Sequence, residues 1–258
     1  LSICIVFIGN LIHLLVGYYY NCTNNYDINW TLPQCVLVLR LIASVFDLYD
    51  GQRPYEQLSN DNKKVALKEC PNFFEYFAHM LFPTSFLVGP HFNLKRYQDF
   101  VNGKFSEKPN SLNAALSRAS LGLLYLIIYE ILSLFVSDDY IMTDEFAQLN
   151  MFWKLILIGM WGRYTLYKYI SCWLLTEGAC ILFGVTYNGK NDDGTIRWDG
   201  CQNVKISIFE NTTEFNHYIL SFNINTNHWV AQYIYKRLKF LNNRHISQLA
   251  ALFYLAIW

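Results

Sequence analysis

Long apolar blocks separated by polar stretches run along the chain. Leu1 to Tyr20 and Ala119 to Val136 are apolar over nearly their whole length, and Leu32 to Leu48 is apolar except for Arg40 and Asp47. A helix needs about 20 mostly apolar residues to cross the hydrocarbon core of a bilayer. These three blocks therefore predict membrane-spanning helices.

The other apolar blocks are less uniform. Phe73 to Val88 is interrupted by two ionisable residues and by Pro83, so it predicts a re-entrant or tilted segment as readily as a full span. Met151 to Val185 is long enough for two short spans or for one long bent helix. Ser247 to Trp258 begins a final span.

The polar stretches between these blocks differ in charge. Gly89 to Arg118 and Tyr233 to Arg244 are basic, whereas Asn21 to Trp30 and Ser137 to Asn150 are acidic or rich in Asn. Loops rich in Lys and Arg tend to remain on the cytoplasmic side of a membrane. We therefore expect the two basic loops in the cytosol and the other two loops in the lumen.

Composition agrees with a membrane protein. Of the 258 residues 53% are hydrophobic and only 16% are charged, against roughly 25% charged residues in a soluble domain. The 20 basic and 20 acidic residues balance, so there is no basic excess that would attract nucleic acid. The seven Cys form no CxxC pair, which indicates neither a disulfide framework nor a zinc site. The predicted fold class is all-α, a polytopic membrane helix bundle.

Both ends of the sequence lie inside apolar blocks. The chain does not begin with Met, and it ends at Ala256-Ile257-Trp258 within an apolar run. We therefore expect a piece of a longer protein that has been cut at both ends.

Ionisable residues inside spans are costly in a bilayer and are candidates for a functional site. The alternative interpretation is that they pair between helices, because membrane bundles also use polar residues to join helices. The residues concerned are Arg40, Asp47, Glu130, Arg163, Lys168 and Glu177.

The densest polar cluster extends from Ser221 to Trp229 and contains three Asn, one Thr and one His. Such a run cannot face lipid, because its amides would lack hydrogen-bond partners there. It either lines a buried reaction chamber or forms a turn that caps the next helix, with Thr226 or Asn227 as the N-cap. His228 lies in this cluster, and we expect His91, His217 and His245 at the surface.

A helix that starts near Trp229 would place Tyr233 and either Lys236 or Arg237 on the same face as Trp229. The two basic residues could form the mouth of a polyphosphate site, since Arg offers bidentate contacts and Lys a point charge. They could equally anchor the chain beside anionic lipid headgroups.

The order and spacing of several motifs resemble the membrane-bound O-acyltransferase family, in particular its members that acylate lysophospholipids. The likeness covers essentially the whole chain. The matching stretches are Gly17-Tyr18-Tyr19-Tyr20, Asn25-Tyr26-Asp27-Ile28, Trp30-Thr31-Leu32-Pro33, Leu87-Val88-Gly89-Pro90, Tyr167-Lys168-Tyr169, Thr176-Glu177-Gly178, Trp198-Asp199 with Asn203, Phe222 to Asn227, and Tyr233 to Leu241.

The resemblance implies a catalytic pair of Asn and His. Asn223 occupies the position of the family Asn, and Trp258 that of the Trp in a Trp-His-Gly motif, so the partner His is expected directly after Trp258. Gly200 follows Trp198-Asp199 where Ala is expected, a departure from the pattern. The residues expected to contact substrate are Asn225, Asn227, Trp229, Tyr233, Lys236, Arg237, Trp198 and Asp199.

The resemblance further implies transfer of an acyl group from acyl-CoA to the free glycerol hydroxyl of a lysophosphatidylcholine-type acceptor. Residues 1–258 would be part of a single domain in the endoplasmic reticulum membrane. No metal or cofactor is expected beyond acyl-CoA as co-substrate. The expected partners are acyl-CoA, a lysophospholipid and the bilayer, and a homodimer remains open. The piece itself is expected to be inactive.

Two other classes of protein remain as alternatives. A lipid transporter would also carry intramembrane charges, but it would show symmetry between its halves, and no internal repeat is evident. A truncated product could instead be a non-catalytic membrane protein.

Overall fold

The computed structural model describes residues 1–22, 29–105 and 109–258. The expected match at Asn25 to Ile28 lies outside these residues, as do parts of two predicted loops. In the described ranges the chain is helical, and its only β pairing is an isolated antiparallel bridge between Lys190 and Ile196. The all-α prediction is confirmed.

Thirteen α-helices follow one another in the described part of the chain, with short 3₁₀ and π segments between them. They are α1 (Ser2–Tyr20), α2 (Thr31–Gly51), α3 (Asn60–Val65), α4 (Phe73–Met80), α5 (Leu94–Val101), α6 (Leu112–Ser133), α7 (Asp138–Ile141), α8 (Asp144–Gln148), α9 (Met151–Phe183), α10 (Ile206–Glu210), α11 (Phe215–Ser221), α12 (Ile224–Val230) and α13 (Arg244–Ile257), with 3₁₀ turns at Tyr55–Gln57 and Lys236–Leu241 and a π-helix at Ala231–Tyr235.

Helices α1, α2 and α6 are long and apolar enough to cross a membrane. They overlap the three predicted spans, but α6 begins at Leu112, inside the predicted basic loop, and ends at Ser133. In α1 and α6 fewer than a fifth of the residues of the most apolar window are buried. Extensive apolar surface of this kind is rare on soluble monomers, and it suits contact with lipid.

The block from Met151 forms one continuous helix of 33 residues, which decides between the one-helix and two-helix predictions. Asn150 caps its first turn by accepting a hydrogen bond from the Trp153 amide at 3.1 Å. Gly184 ends it in the left-handed conformation, with φ 89°. Helix α6 packs closely along α9 at Gly122. A Cβ at this position would lie only 3.1 Å from Leu174, so the absence of a side chain allows the close approach.

The block from Phe73 does not form a span. Helix α4 ends at Met80 and irregular turns follow. Arg40 of α2 holds this segment in place, donating to the carbonyls of His79 and Met80, both at 2.8 Å, and to the carbonyl and hydroxyl of Ser85 at 3.1 and 2.5 Å.

A hydrophobic core joins α1, α2, α12 and α13. Trp229 is its largest buried side chain. The Trp229 indole donates to the Leu39 carbonyl at 2.9 Å, and its ring stacks on Tyr254 with centroids 5.2 Å apart. This core fixes α12 against the predicted spans.

The helix predicted to start near Trp229 begins earlier, at Ile224, with Asn223 as the N-cap. The expectation that Thr226 or Asn227 caps it is wrong. Thr226 is buried within the first turns, and the Asn227 amide donates to the carbonyls of Ile219 and Phe222, both at 3.0 Å. Asn227 therefore closes the end of α11 instead of starting α12.

Candidate active site

A cleft of about 630 Å³ opens between α3, α5, the loop before Cys201 and the segment from α12 to Lys236. The two predicted basic loops both contribute to it. Four cations and two carboxylates make up its charged lining, so it is basic. These residues are Lys64, Lys95, Arg96, Lys236, Asp61 and Asp99.

Some of these cations are already paired. Lys236 forms an ion pair with Asp61, and this hydrogen bond lowers the pKa of the Asp61 carboxyl. Lys95 lies 3.6 Å from Asp99. Lys64 makes no ion pair within 4 Å among the described residues. Two of the four cations are therefore partly neutralised by carboxylates in the cleft, and Lys64 keeps a positive charge that can face a ligand.

Arg96 forms one wall of the cleft and is tightly held. Its guanidinium donates to the carbonyls of Val185 and Tyr187, both at 2.7 Å, and lies over the Phe105 ring. A Cβ on Gly200 would lie 1.8 Å from Arg96 Nη2. Glycine at this position, where the family pattern predicts alanine, leaves space for the guanidinium.

The floor of the cleft comes from the α12 segment. Asn225, Trp229 and Tyr233 line it, and the Tyr233 hydroxyl donates to buried Asp47 at 2.8 Å. The side-chain amide of Asn225 donates to the carbonyls of Cys201 and Gln202 at 3.3 and 3.1 Å. The structure thus brings three of the expected substrate-contacting residues together with Lys236.

His228 and His91 also line the cleft. His228 is exposed there. His91 is only partly exposed and its Nδ1 is buried, so the expectation of a surface histidine is wrong. His91 lies just before α5, next to Phe92 and Asn93, which also line the cleft.

Arg237 points away from the cleft, against the expectation of a shared basic mouth with Lys236. It makes a bidentate pair with buried Asp50 at 2.7 and 2.6 Å and lies over Phe46 at 4.6 Å. It borders a second, apolar cavity of about 360 Å³. Consecutive residues on a 3₁₀ helix diverge by about 120°, which separates the two basic side chains.

Trp198 and Asp199 border a third pocket of about 370 Å³, together with Arg118 and Glu177. The structure therefore does not bring them into the main cleft. Burial raises the pKa of Asp199, but hydrogen bonds from Arg197 and Asn188 outweigh this effect and hold the pKa below its usual value.

Asn223 lies at the junction of α11 and α12 in the left-handed conformation, with φ 51°. Its side chain is half-buried, and it makes no capping hydrogen bond. Asn203 holds the backbone that follows Asn223. The Asn203 carbonyl accepts from the backbone N–H of Ile224, and the Asn203 Oδ1 accepts from the backbone N–H of Asn225, both at 3.0 Å. Asn223 itself is not among the residues that line the cleft of about 630 Å³, whereas Asn225 is.

Most of the ionisable residues that the sequence places in apolar blocks join separate parts of the chain. Arg40 holds the turns after α4, Asp47 accepts from Tyr233, and Arg163 pairs with Glu210 at 2.6 Å. Glu177 pairs with Arg118 at 2.6 Å. Glu130, in contrast, is exposed on α6.

Sequence reasoning missed the cations that α3 and α5 supply. Lys64, Lys95 and Arg96 belong to polar stretches that indicate only surface segments. Asn203 belongs to the family match, which implies no role for it. Its position directly after the Trp198-Asp199 loop is the signal that the sequence offers.

The chain matches known proteins along nearly its whole length. Residues 15–258 match the model of MBOAT, the membrane-bound O-acyltransferase family. The protein named lysophospholipid acyltransferase 5 of Drosophila melanogaster is 48% identical over 99% of this chain and 52% of its own length. Proteins of the same name from Mus musculus and Homo sapiens are 46% and 42% identical, over 95% and 100% of this chain and 51% and 54% of their own lengths.

The chain therefore spans about half the length of these relatives. The family model nevertheless covers far more than half of the chain, and the apolar spans agree with a membrane protein. On these grounds this chain belongs to the membrane-bound O-acyltransferase family.

Proposed function

We propose that the whole protein is an acyl-CoA-dependent lysophospholipid acyltransferase of the endoplasmic reticulum membrane. The observation that carries the proposal is the basic cleft of about 630 Å³, which places Lys236 and Arg96 on the same opening as Asn225, two residues after Asn223. The relatives named lysophospholipid acyltransferase 5 support the reaction class.

The charge of the cleft suits the phosphates of CoA. Arg can bind phosphate bidentately and Lys acts as a point charge. Phe92, Phe105 and Trp229 also line the cleft and offer aromatic surface to the rest of the donor. Both predicted cytosolic loops meet here, which supports entry of acyl-CoA from the cytosol.

The proposed reaction needs a base, a nucleophile and an activated acyl group. A His directly after Trp258 would take the proton from the free glycerol hydroxyl of the lysophospholipid. The hydroxyl oxygen would then form an ester bond to the acyl carbon while the carbon–sulfur bond breaks, and the proton would pass to the departing CoA thiolate. The thioester is already activated, so the proposal includes no metal or other cofactor.

Asn223 would donate a hydrogen bond from its amide to the oxygen on which negative charge develops. Such donors contribute most when they are held in place before the reaction. The clamped backbone after Asn223 and its unpaired amide support this role. The proposal also includes a lysophosphatidylcholine-type acceptor and a homodimer.

The test is an acyl-transfer assay on the whole protein, expressed in membranes of cells that lack this activity. Labelled acyl-CoA is supplied with lysophospholipids of several headgroups, and free labelled fatty acid replaces acyl-CoA in a control. Labelled diacyl phospholipid should form when acyl-CoA is the acyl donor and should not form when free fatty acid replaces it. Absence of product with every acceptor, from protein shown to be folded, would contradict the proposal. The transporter and scaffold alternatives both predict that absence.

A further inference from the structure

Asn223 is connected to the long helix α9 through a short series of buried polar contacts. We propose that Glu177 of α9 and Asn203 are positioning residues. They hold the side-chain amide of Asn223 where it can donate a hydrogen bond to the developing oxyanion. This inference rests on the proposed function, in which Asn223 acts on the reacting atoms.

The first contact is the Glu177 carboxylate, which is 4% exposed. Its Oε1 accepts the backbone amides of Asn203 at 2.7 Å and Val204 at 3.0 Å. Its Oε2 accepts Nε and Nη2 of Arg118 at 2.7 and 2.6 Å. Arg118 Nη2 also donates to the Val204 carbonyl at 2.7 Å. The loop at Asn203 is therefore fixed to α9 and α6 together.

Every partner of the Glu177 carboxylate is a hydrogen-bond donor. A carboxylate offers only acceptors, whereas an amide has one acceptor oxygen and one donor nitrogen. In Glu177→Gln the new NH₂ group would have to face either two backbone amides or the Arg118 guanidinium. The substitution therefore breaks one half of the arrangement while it keeps the shape of the side chain.

The second contact is Asn203, which is 3% exposed. Its carbonyl accepts the Ile224 amide at 3.0 Å, and its Oδ1 accepts the Asn225 amide at 3.0 Å. The Asn225 side chain returns to the same loop through the carbonyls of Cys201 and Gln202. These bonds clamp the two peptides after Asn223.

The clamp bears on Asn223 because that residue has a left-handed backbone, with φ 51°. Few residues other than glycine adopt this conformation, and Asn is among those that tolerate it. If the loop at Asn203 moves, the α11–α12 junction is free to relax and the Asn223 amide is displaced. A misplacement of about 1 Å is enough to reduce the rate about 100-fold.

The experiment measures kcat and KM of the whole protein for acyl-CoA and for the lysophospholipid, in Glu177→Gln and Asn203→Ala. We expect kcat to fall about 10- to 100-fold, with each KM within about 3-fold of wild type. Glu210→Gln is the matched control. It weakens the Arg163–Glu210 pair at 2.6 Å, which anchors the end of α10 to α9, and Glu210 makes no hydrogen bond to Asn203 in the described part of the chain. It should leave kcat within about 3-fold of wild type.

Asn203→Ala keeps the backbone contacts to Glu177 and removes only the bond to the Asn225 amide, so it tests the clamp even if Glu177→Gln does not fold. Unchanged kcat in Asn203→Ala, a rise in KM in place of a fall in kcat, or loss of the folded protein in this variant would each overturn the positioning role. An active wild-type enzyme with unaffected variants would overturn that role alone, whereas an inactive but folded wild type would overturn the proposed function as well.

Discussion

Replacing Arg40 by alanine should destabilise the protein more than any surface substitution on the same helix. Arg40 is fully buried in α2, and its guanidinium donates to neutral oxygens at the end of α4 and in the turns that follow. Through this side chain, helix α2 fixes the end of α4 and the irregular turns that follow it.

The magnitude follows from the groups that lose their partner. Four hydrogen bonds would be lost, but only the Met80 carbonyl would be left without a partner among the described residues, because the His79 and Ser85 carbonyls also accept from the Phe82 and Gly89 amides at 3.3 and 3.2 Å. The unsatisfied carbonyl costs about 1–3 kcal/mol and the other three bonds contribute about 0.5–1.5 kcal/mol each, which sums to about 2.5–7.5 kcal/mol. Removal of a buried charge returns several kcal/mol of desolvation energy. The expected net loss in the free energy of unfolding is about 2–5 kcal/mol.

The assay is denaturant- or heat-induced loss of the folded whole protein in detergent, followed by size-exclusion chromatography with fluorescence detection. Arg53→Ala is the matched control, since Arg53 is an exposed arginine just past the C-terminus of α2. Arg40→Lys should give an intermediate loss, because one ammonium cannot span the carbonyls that Nη1 and Nη2 reach together. If Arg40→Ala and Arg53→Ala unfold at the same midpoint as wild type, the reasoning is refuted.

Two further changes test the cleft and the helix packing. Lys236→Ala should raise the KM for acyl-CoA about 10-fold in steady-state kinetics, because the cleft loses a cation that can bind phosphate. Lys239 is exposed in the same 3₁₀ segment, and Lys239→Ala should leave this KM unchanged. Equal KM values for the two variants would favour the interpretation that Lys236 anchors the chain beside lipid headgroups. Gly122→Leu should lower the free energy of unfolding by about 1–3 kcal/mol through overpacking against Leu174, while Gly159→Leu, where a Cβ meets nothing within 4 Å, should be nearly neutral in the same detergent assay.

The spans of this fold are readable from the sequence, but its irregular parts are not. The positions of α1, α2 and α6 follow from long, mostly apolar stretches, because a bilayer requires them, although α6 begins at Leu112, before the predicted block. The short helix α4 and its turns depend on Arg40, a residue far away in sequence whose carbonyl partners carry no sequence signal. Periodicity alone therefore left this segment undecided.

The candidate site shows the same division. Asn223 is located by a motif, and Trp229, Tyr233 and Lys236 by helical spacing. The segment is a π-helix at Ala231–Tyr235 followed by a 3₁₀ turn. Of the two basic residues that the spacing allows on the cleft face, Lys236 lines the cleft and Arg237 pairs with Asp50. The opposite wall, with Lys64 and Arg96, is assembled by tertiary packing of surface helices, which no local pattern reveals.

In the proposed reaction Asn223 acts on the reacting atoms, and its removal by mutagenesis is the sharpest test of this role. The rate of labelled acyl transfer from acyl-CoA to lysophosphatidylcholine is compared for the whole protein, Asn223→Ala and the surface control Asn216→Ala at equal amounts of folded enzyme. Loss of one donor to a developing oxyanion lowers kcat about 100- to 1,000-fold, so the account predicts that loss for Asn223→Ala and a wild-type rate for Asn216→Ala. A wild-type rate in Asn223→Ala would contradict it.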